Sequence, residues 1–260
     1  MADPVPILIG GLLIIALLGI ALWRSQRQAR SLRRRIEATS CDLESLQTSF
    51  TRFAPDEVVE RIIASGVSGD GERKEVTALF VDLVGFTALS ESVEPPVLMR
   101  ILNGYFERMS RAITENRGHV STFVGDGILA LFGALRPNPW QANDAVHAAL
   151  AMRRELADYN KELSAKGLPR LALGAGIHRG FGVAGLVGSR ELIQFAFVGR
   201  IVNLAARVQD LTRRFDTDIL VTSEVQKDLD PRFSLRPLPP AAVRGISEPV
   251  ATFAVHRYGD

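Results

Sequence analysis

The chain has a single cysteine and no histidine cluster, and these two absences argue against an intrachain disulfide and a zinc site. Cys41 is the only cysteine, so no intrachain disulfide can form, and a reducing compartment such as the cytosol suits the chain. The four histidines, at positions 119, 147, 178 and 256, lack the short spacings that zinc sites use. We therefore interpret them as structural or surface residues.

Charge is absent from residues 4–23, PVPILIGGLLIIALLGIALW, a run long enough to cross the ~30 Å core of a bilayer as a helix. Six arginines follow within 24–35, whereas Asp3 is the only charged residue before the run. The positive-inside rule predicts a single-pass protein of the inner or plasma membrane, with the N-terminus outside and the chain after Arg24 in the cytoplasm. The arginines are expected to contact anionic membrane lipid rather than nucleic acid.

A cleaved signal peptide is the alternative interpretation of residues 4–23. Such a leader carries basic residues before its apolar part and a small-residue cleavage site after it, and this sequence shows neither. We therefore favour a transmembrane helix.

Residues 24–50 are predicted to form a basic juxtamembrane and coiled-coil linker helix. Small or apolar residues recur at alternating steps of three and four over about three heptads, which is typical of a coiled-coil seam. They are Ala29, Leu32, Ile36, Thr39, Leu43, Leu46 and Phe50. An amphipathic helix that packs on its own domain stays open as an alternative. Residues 51–74 predict a short helix and a glycine-rich hinge.

Residues 75–260 are predicted to form one mixed α/β (α+β) domain. We expect a buried strand at 76–82, an interrupted helix at 87–117, two strands flanking Asp126 and a long amphipathic helix at 140–166. Two strands joined at Gly180, a helix from Ile201 and a short strand, DILVT, should follow. The initial order β-α-β-β-α-β predicts a ferredoxin-like core with additions.

Two aspartates stand out from apolar surroundings. Asp82 closes the strand in LFVDLVGFT, and Asp126 lies between two glycines in HVSTFVGDGILALFG. Alone, Asp126 also fits the polar tip of a surface hairpin. In a ferredoxin-like sheet the first strand and the hairpin lie side by side, so the two carboxylates could share a divalent cation that offsets their repulsion. Such oxygen ligands favour Mg²⁺ or Mn²⁺.

A second group of polar residues lies in VGRIVNLAARVQ. Asn203 and Arg207 are four residues apart in a predicted helix, so both project from one face among apolar neighbours. An arginine in such surroundings is expected to have an anionic partner or ligand. An ordinary amphipathic helix, in which Arg207 extends its charge to solvent, stays open as the alternative.

Taken together, these segments resemble the class III nucleotidyl cyclases, in particular the membrane-anchored bacterial-type members. Four blocks match the order and spacing of that family: VTALFVDLVGFTALSE, FVGDGILALFG, GAGIHRGFGVAGLVGS and FVGRIVNLAAR. The stretch FTRFAPDEVVERI also resembles the segment that often precedes such domains. The resemblance covers about residues 75–256, which is most of the chain after the apolar run.

The resemblance implies a purine nucleoside triphosphate cyclase that most often makes 3′,5′-cyclic AMP and pyrophosphate from ATP, with two Mg²⁺ or Mn²⁺ ions per site. In that family the 3′-hydroxyl attacks the α-phosphate. By resemblance, Asp82, Asp126 and the carbonyl of Leu83 are metal ligands. Likewise by resemblance, Asn203 orients the ribose and Arg207 stabilises the transition state.

The resemblance also implies contacts to the phosphates and a dimer. Gly85, Phe86 and Thr87 would offer backbone N–H groups to the β- and γ-phosphates, and Arg244 would bind the terminal phosphates. In the family, the aspartates come from one protomer and the Asn/Arg pair from the other. The expected assembly is therefore a homodimer with two shared sites, with which the coiled-coil seam agrees.

The base-recognition positions depart from the pattern of the family. Adenylyl cyclases usually carry lysine where this chain has Thr122, and Asp or Thr where it has Ala196, whereas guanylyl cyclases typically carry Glu and Cys there. Because hydrogen-bonded readout rejects the wrong base, these replacements weaken discrimination. The expectation of cyclic AMP therefore rests on how common adenylate cyclases are among single-span bacterial members.

Three alternatives remain open. The protein could be a guanylate or loosely selective cyclase, or a catalytically silent dimeric nucleotide-binding module that signals by conformation. The presence of both aspartates and of the Asn/Arg pair argues against a silent module. A diguanylate cyclase on a similar core would carry a Gly-Gly-acidic signature that this sequence lacks.

Overall fold

The structure is a computed structural model and describes residues 71–189 and 193–258. The predicted membrane helix, the coiled-coil linker and nearly all of the hinge lie outside the described residues. Within the two described ranges, no helix combines the length and apolar character needed to cross a bilayer.

The described chain alternates strands and helices in the predicted order through its first half. The elements are β1 (Glu72–Leu83), α1 (Phe86–Ser92), α2 (Pro95–Glu115), β2 (His119–Val124), β3 (Gly127–Phe132), α3 (Gln141–Ala165), β4 (Leu173–Gly188), β5 (Ile193–Val198), α4 (Arg200–Arg214), β6 (Ile219–Thr222), α5 (Ser223–Gln226), β7 (Phe233–Pro237) and β8 (Thr252–Tyr258).

Local sequence explains several of these boundaries. Pro95 and Pro96 occupy the first turn of α2, where the missing N–H costs nothing, so the predicted interruption separates α1 from α2. Helix α3 ends just before Gly167, whose φ of +68° lies in the left-handed region that favours glycine.

The strands form one sheet in the order β2-β3-β1-β4-β6-β8-β7, and β5 pairs with β4 beside this path. The segment β2-β3-β1-β4 is antiparallel throughout and has the strand order of a ferredoxin-like unit. The predicted core is therefore present, and β5 to β8 are the additions. Strand β6 joins β4 in parallel.

The core lies on both faces of the sheet. Leu79, Val81 and Leu83 of β1 pack with α2 and α3, whereas Val76 and Ala78 pack with α4. This alternation follows from the two-residue period of a strand, and it explains why the second part of β1, residues 76–83, is apolar almost throughout. Asp82 shares the α4 face of β1 at the open end of the strand.

One prediction about the sheet was wrong. Strand β4 runs without a break through Gly180, which pairs with Val76 of β1, and the hairpin partner of β4 is β5. The glycines of β4 allow close approach rather than a turn. A Cβ at Gly176 would lie 2.3 Å from the carbonyl oxygen of Ala205 in α4, so this helix can rest on the sheet only where a side chain is missing.

Candidate active site

The carboxylates of Asp82 and Asp126 meet at the end of β1. Val81 pairs with Ile128 of β3, and this register brings the β2–β3 turn, which holds Asp126, beside Asp82. Gly127 keeps the approach open because a Cβ there would lie 3.4 Å from Asp82 Oδ1 and 3.3 Å from the Val81 carbonyl oxygen. The predicted side-by-side placement of the two aspartates is confirmed.

The two carboxyl groups are electrostatically coupled. Burial, the charge of Asp126 and a hydrogen bond with the Asp126 carboxyl raise the pKa of Asp82 to about 6. The guanidinium of Arg213, with Nη2 3.6 Å from Asp82 Oδ2, and the backbone N–H of Leu83 act in the opposite direction. Two carboxylates this close repel each other, and a divalent cation between them would offset that repulsion.

The two carboxylates suit a hard cation such as Mg²⁺, which keeps part of its hydration shell when it binds. Among residues 71–189 and 193–258, no group of three or more His, Cys, Asp or Glu side chains could hold a metal. Magnesium typically uses one or two carboxylates and takes its other ligands from water and substrate phosphates. Asp82 and Asp126 match that requirement, and Leu83, the next residue in the chain, has its side chain buried in the core.

The turn after β1 presents the predicted phosphate-binding segment. Gly85 has a φ of +75° and precedes α1, and its carbonyl accepts a hydrogen bond from the N–H of Leu89. Phe86 packs against the core, which fixes the turn, while Gly85 and Thr87 are exposed. The segment therefore lies at the surface within a few residues of Asp82.

A separate cavity gathers the other predicted residues. Asn203, Arg207 and Arg244 line a volume of about 500 Å³ together with Arg200, Leu204, Gly245 and Ile246. Arg207 is half-exposed, and its Nη1 lies 3.2 Å from Asp210 Oδ2. An exposed pair of this kind is weak, so the guanidinium stays available to an anionic ligand. Three arginines beside one asparagine suit a polyphosphate.

The chain does not bring the cavity and the carboxylate pair together. Arg213, near the C-terminal end of α4, contacts Asp82, whereas Asn203 lies ten residues earlier in the same helix. That interval corresponds to about 15 Å of helix axis, which an asparagine side chain cannot span. Asp82 and Asp126 therefore form one half of the predicted site, and Asn203, Arg207 and Arg244 form another.

The predicted base-recognition residues lie on two strands that touch each other, β2 and β5. Thr122 is exposed beside a register shift in β2, and its hydroxyl donates to the carbonyl of Phe123 at 3.3 Å. Ala196 faces Gly185 of β4 in the strand register and has no side-chain hydrogen-bonding group.

Two residues near the carboxylates were not predicted. Arg213 was missed because it is six residues beyond Arg207 and points to another side of α4. Tyr105 of α2 was missed because its spacing with Ile101 and Met109 indicates only a buried helix face. Burial, together with the charges of Asp82 and Asp126, raises the pKa of its phenol.

The fold and the site together indicate a class of protein. A ferredoxin-like sheet with a carboxylate pair at one strand end, and an Asn/Arg cavity displaced along α4, has the two half-sites expected of a nucleotidyl cyclase catalytic domain. The model of the adenylate and guanylate cyclase catalytic domain matches residues 70–257. The chain therefore belongs to this family.

Individual relatives agree with the family match. The chain is 35% identical over 224 residues to an adenylate cyclase of Anabaena cylindrica, covering 82% of this chain and 44% of that protein. It is 32% identical over 209 residues to adenylate cyclase 1 of Rhizobium meliloti, covering 80% and 31%. This chain thus spans less than half the length of these two relatives.

Solved structures share the fold. The crystal structure of the guanylyl cyclase Cya2 superposes with a TM-score of 0.67 at 33% identity, covering 73% of this chain and 95% of that chain. The adenylyl cyclase CyaB of P. aeruginosa superposes with a TM-score of 0.68 at 29% identity, covering 72% and 96%. Similarity of this degree therefore extends to cyclases named for either purine.

Proposed function

We propose that the protein is a purine nucleoside triphosphate cyclase that converts ATP to 3′,5′-cyclic AMP and pyrophosphate. The observation that carries this proposal is the pair formed by Asp82 and Asp126 at the end of β1, with a separate cavity of phosphate-binding character on α4. Family membership supplies the reaction type, and the names of the two relatives described above favour ATP.

The carboxylate half would hold Mg²⁺ or Mn²⁺, two ions per site as in the family. Asp82 and Asp126 would be side-chain ligands and Leu83 a carbonyl ligand. Bound cations of this kind lower the pKa of an attacking hydroxyl and neutralise charge on phosphates. Gly85, Phe86 and Thr87 would add backbone N–H groups for the β- and γ-phosphates at the turn into α1.

The cavity half would bind and orient the nucleotide. Asn203 would fix the ribose so that its 3′-oxygen faces the α-phosphorus in line with the departing pyrophosphate. Arg207 would donate to the α-phosphate oxygens, where charge develops as the new P–O bond forms and the bond to the bridging oxygen breaks. Arg244, across the cavity, would bind the terminal phosphates.

A homodimer would complete the site. Since about 15 Å of helix separates Asn203 from the position where α4 meets Asp82, one chain cannot apply both halves to one nucleotide. A second copy related by a two-fold axis would place its cavity over the carboxylates of the first, and the same operation creates a second identical site. The predicted coiled coil at 24–50 would support this pairing.

The membrane location belongs to the same proposal. The uncharged run at 4–23 and the arginines after it would anchor the chain in the inner or plasma membrane, with lipid contacts at 24–35 and the catalytic domain in the cytoplasm.

A loosely selective or guanylate cyclase is the second candidate function. The side chain of Thr122 can form one hydrogen bond with a base, and that of Ala196 can form none. These two positions therefore cannot fully distinguish adenine from guanine. Cya2, a guanylyl cyclase, is also among the similar structures.

Turnover by the purified full-length chain in detergent tests the function. ATP and GTP are supplied separately with Mn²⁺ or Mg²⁺, and cyclic nucleotide and pyrophosphate are quantified. We expect equal amounts of cyclic AMP and pyrophosphate, and a higher ratio of ATP to GTP turnover in Thr122→Lys. Comparable turnover of both nucleotides would support the second candidate, and no product from either would contradict both.

A further inference from the structure

Arg213 places a positive charge beside the carboxylate pair. Its Nη2 lies 3.6 Å from Asp82 Oδ2, and its side chain is about half exposed. A cation is common in the last turn of a helix, where it faces the negative end of the helix dipole, and both Arg213 and Arg214 occupy the last turn of α4. Position in the helix therefore explains an arginine here, but it does not explain the contact with Asp82.

Arg214 shows the ordinary arrangement of such a residue. Its guanidinium lies over the ring of the next residue, Phe215, at 5.6 Å from the ring centroid. Arg213 carries the same charge in the same helical turn, yet its guanidinium is directed at Asp82 on the sheet. The two arginines therefore form a natural pair for comparison.

The packing of α4 on the sheet holds Arg213 near Asp82. Asp82 pairs with Gly174 of β4, and a Cβ on Gly174 would lie 2.5 Å from Thr212 Oγ1 and 2.8 Å from Gln209 Nε2. Because Gly174 has no side chain, the C-terminal part of α4 can rest on the strand directly beside Asp82. Arg213 follows Thr212 in the chain, so backbone packing sets its distance from the carboxylate.

The two oxygens of Asp82 face different elements. Oδ1 lies 3.4 Å from the position of a Cβ on Gly127, which follows Asp126 in the β2–β3 turn. Oδ2 lies toward Arg213 of α4. A cation shared by the two aspartates and the guanidinium of Arg213 can therefore use different sides of one carboxylate. Arg213 need not leave when the cation binds.

The charge of Arg213 has opposite effects on the two species that this half of the site would bind. It repels a bare divalent cation, and it partly neutralises the Asp82 carboxylate that such a cation needs. In contrast, it attracts phosphate oxygens, and a phosphate that shares the cation with Asp82 must approach the carboxylate beside which Arg213 lies. A guanidinium has five N–H donors, so one that is half exposed can contact Asp82 and still donate to an anion.

We propose that Arg213 is a specificity-determining residue of the carboxylate pair, which disfavours a bare divalent cation and favours a cation that is bound to a polyphosphate. This inference rests on the proposed metal-binding function of Asp82 and Asp126. It adds a phosphate contact from the same chain that supplies the aspartates, separate from the cavity around Arg207.

Binding of Mn²⁺ alone to the full-length chain in detergent tests the first half of the proposal. Free Mn²⁺ is followed by electron paramagnetic resonance during titration of wild type, Arg213→Gln, Arg213→Lys, Arg214→Gln and Asp126→Ala. Arg213→Gln should bind Mn²⁺ about threefold more tightly, a change within the range of an exposed ion pair. High salt should reduce this gain, and Arg213→Lys should bind like wild type because it keeps the charge.

Binding of pyrophosphate tests the second half. Equilibrium dialysis of radiolabelled pyrophosphate at saturating Mn²⁺ measures the affinity of the same variants for the metal-bound anion. Arg213→Gln should bind it about threefold more weakly, which is opposite in direction to the effect on Mn²⁺ alone. A merely structural role of Arg213 would not change the two affinities in opposite directions.

Arg214→Gln is the matched control, since it removes the same charge from the same helical turn, and it should leave both affinities unchanged. Mn²⁺ affinity that does not rise in Arg213→Gln, or pyrophosphate affinity that does not fall, would overturn the proposal while leaving the metal site intact. Equal effects in Arg214→Gln would also overturn it, because the net charge of α4 would then be sufficient. Mn²⁺ binding that Asp126→Ala does not weaken would overturn the metal site and this inference together.

Discussion

At the scale of single residues, Asp82 shows how one side chain combines opposing requirements. It lies near the end of β1, is only about a quarter exposed and shares a hydrogen bond with a second carboxyl, so its charge is disfavoured in the folded chain. Arg213 offsets part of this penalty. A residue selected only for stability would not be an aspartate here, which agrees with a role in holding a cation.

The raised pKa of Asp82 predicts how stability depends on pH in the presence of EDTA. A carboxyl whose folded pKa of about 6 exceeds its ordinary 3.8 stabilises the fold below pH 4, and that contribution is lost as pH rises through 6. Allowing for solvent screening, the loss should be about 1 kcal/mol. Asp82→Asn should therefore melt at a higher temperature than wild type at pH 8 and show little advantage at pH 4. An equal advantage at both pH values would contradict the shift.

Arg207 gives a second prediction at this scale. Removing a preorganised charge from a developing phosphate oxyanion typically costs about 10²–10³ in kcat, so Arg207→Ala should lose that much cyclase activity. Mn²⁺ binding should be unchanged, because the carboxylate pair lies elsewhere in the chain. Arg214→Ala is the control, since Arg214 stacks on Phe215 and lies outside the cavity. Equal losses in both variants would show that the effect belongs to α4 as a whole.

Residue patterns in the sequence predicted the two aspartates but not Arg213 and Tyr105, which lie near them in the fold. Asp82 and Asp126 interrupt apolar runs, and such interruptions are visible in a sequence. Tyr105 follows the apolar period of its helix, and Arg213 is one of several arginines on α4. What distinguishes them is the neighbour that folding brings close, which local spacing does not encode.

At the scale of elements, two contacts form the two halves of the site. Pairing of β1 with β3 brings the carboxylates together, and packing of α4 on β4 positions the helix that carries the cavity. The sequence predicted β1, the β2–β3 hairpin, α3 and α4 because each has a clear two-residue or helical period. It did not predict β5, and it placed a turn at Gly180. Glycine serves turns and close packing alike, and only the partner strand or helix shows which role applies.

Gly176 tests the element that carries the cavity. A Cβ at this position would lie 2.3 Å from both the Ala205 carbonyl oxygen and the Gln209 N, so Gly176→Ala must push α4 off the sheet. Overpacking of this kind should lower the free energy of unfolding by about 1–3 kcal/mol, and displacement of Asn203 and Arg207 should reduce turnover. Thermal melting and the cyclase assay measure the two effects.

Gly180→Ala is the matched control within the same strand. The nearest atom to its Cβ would be His178 Nε2 at 3.5 Å, which is ordinary contact, and its backbone is not left-handed. This variant should keep the stability and activity of wild type. A severe loss here would contradict the uninterrupted course of β4.

At the scale of the whole molecule, the separation of the two half-sites is the feature with the greatest consequence. One copy of the domain contains both the carboxylate pair and the Asn/Arg cavity, yet these two half-sites lie apart on the same chain. Two copies arranged about a two-fold axis would convert four incomplete half-sites into two complete ones. Activity would then depend on how the two copies meet.

Complementation between two inactive variants tests this shared-site account most directly. Asp126→Ala and Arg207→Ala are each nearly inactive as separate proteins if the account is correct. When the two are co-expressed, half of the dimers combine one chain of each kind and contain one intact site, so about a quarter of the wild-type rate should return. A mixture that stays as inactive as its separate components would contradict a site shared between two chains.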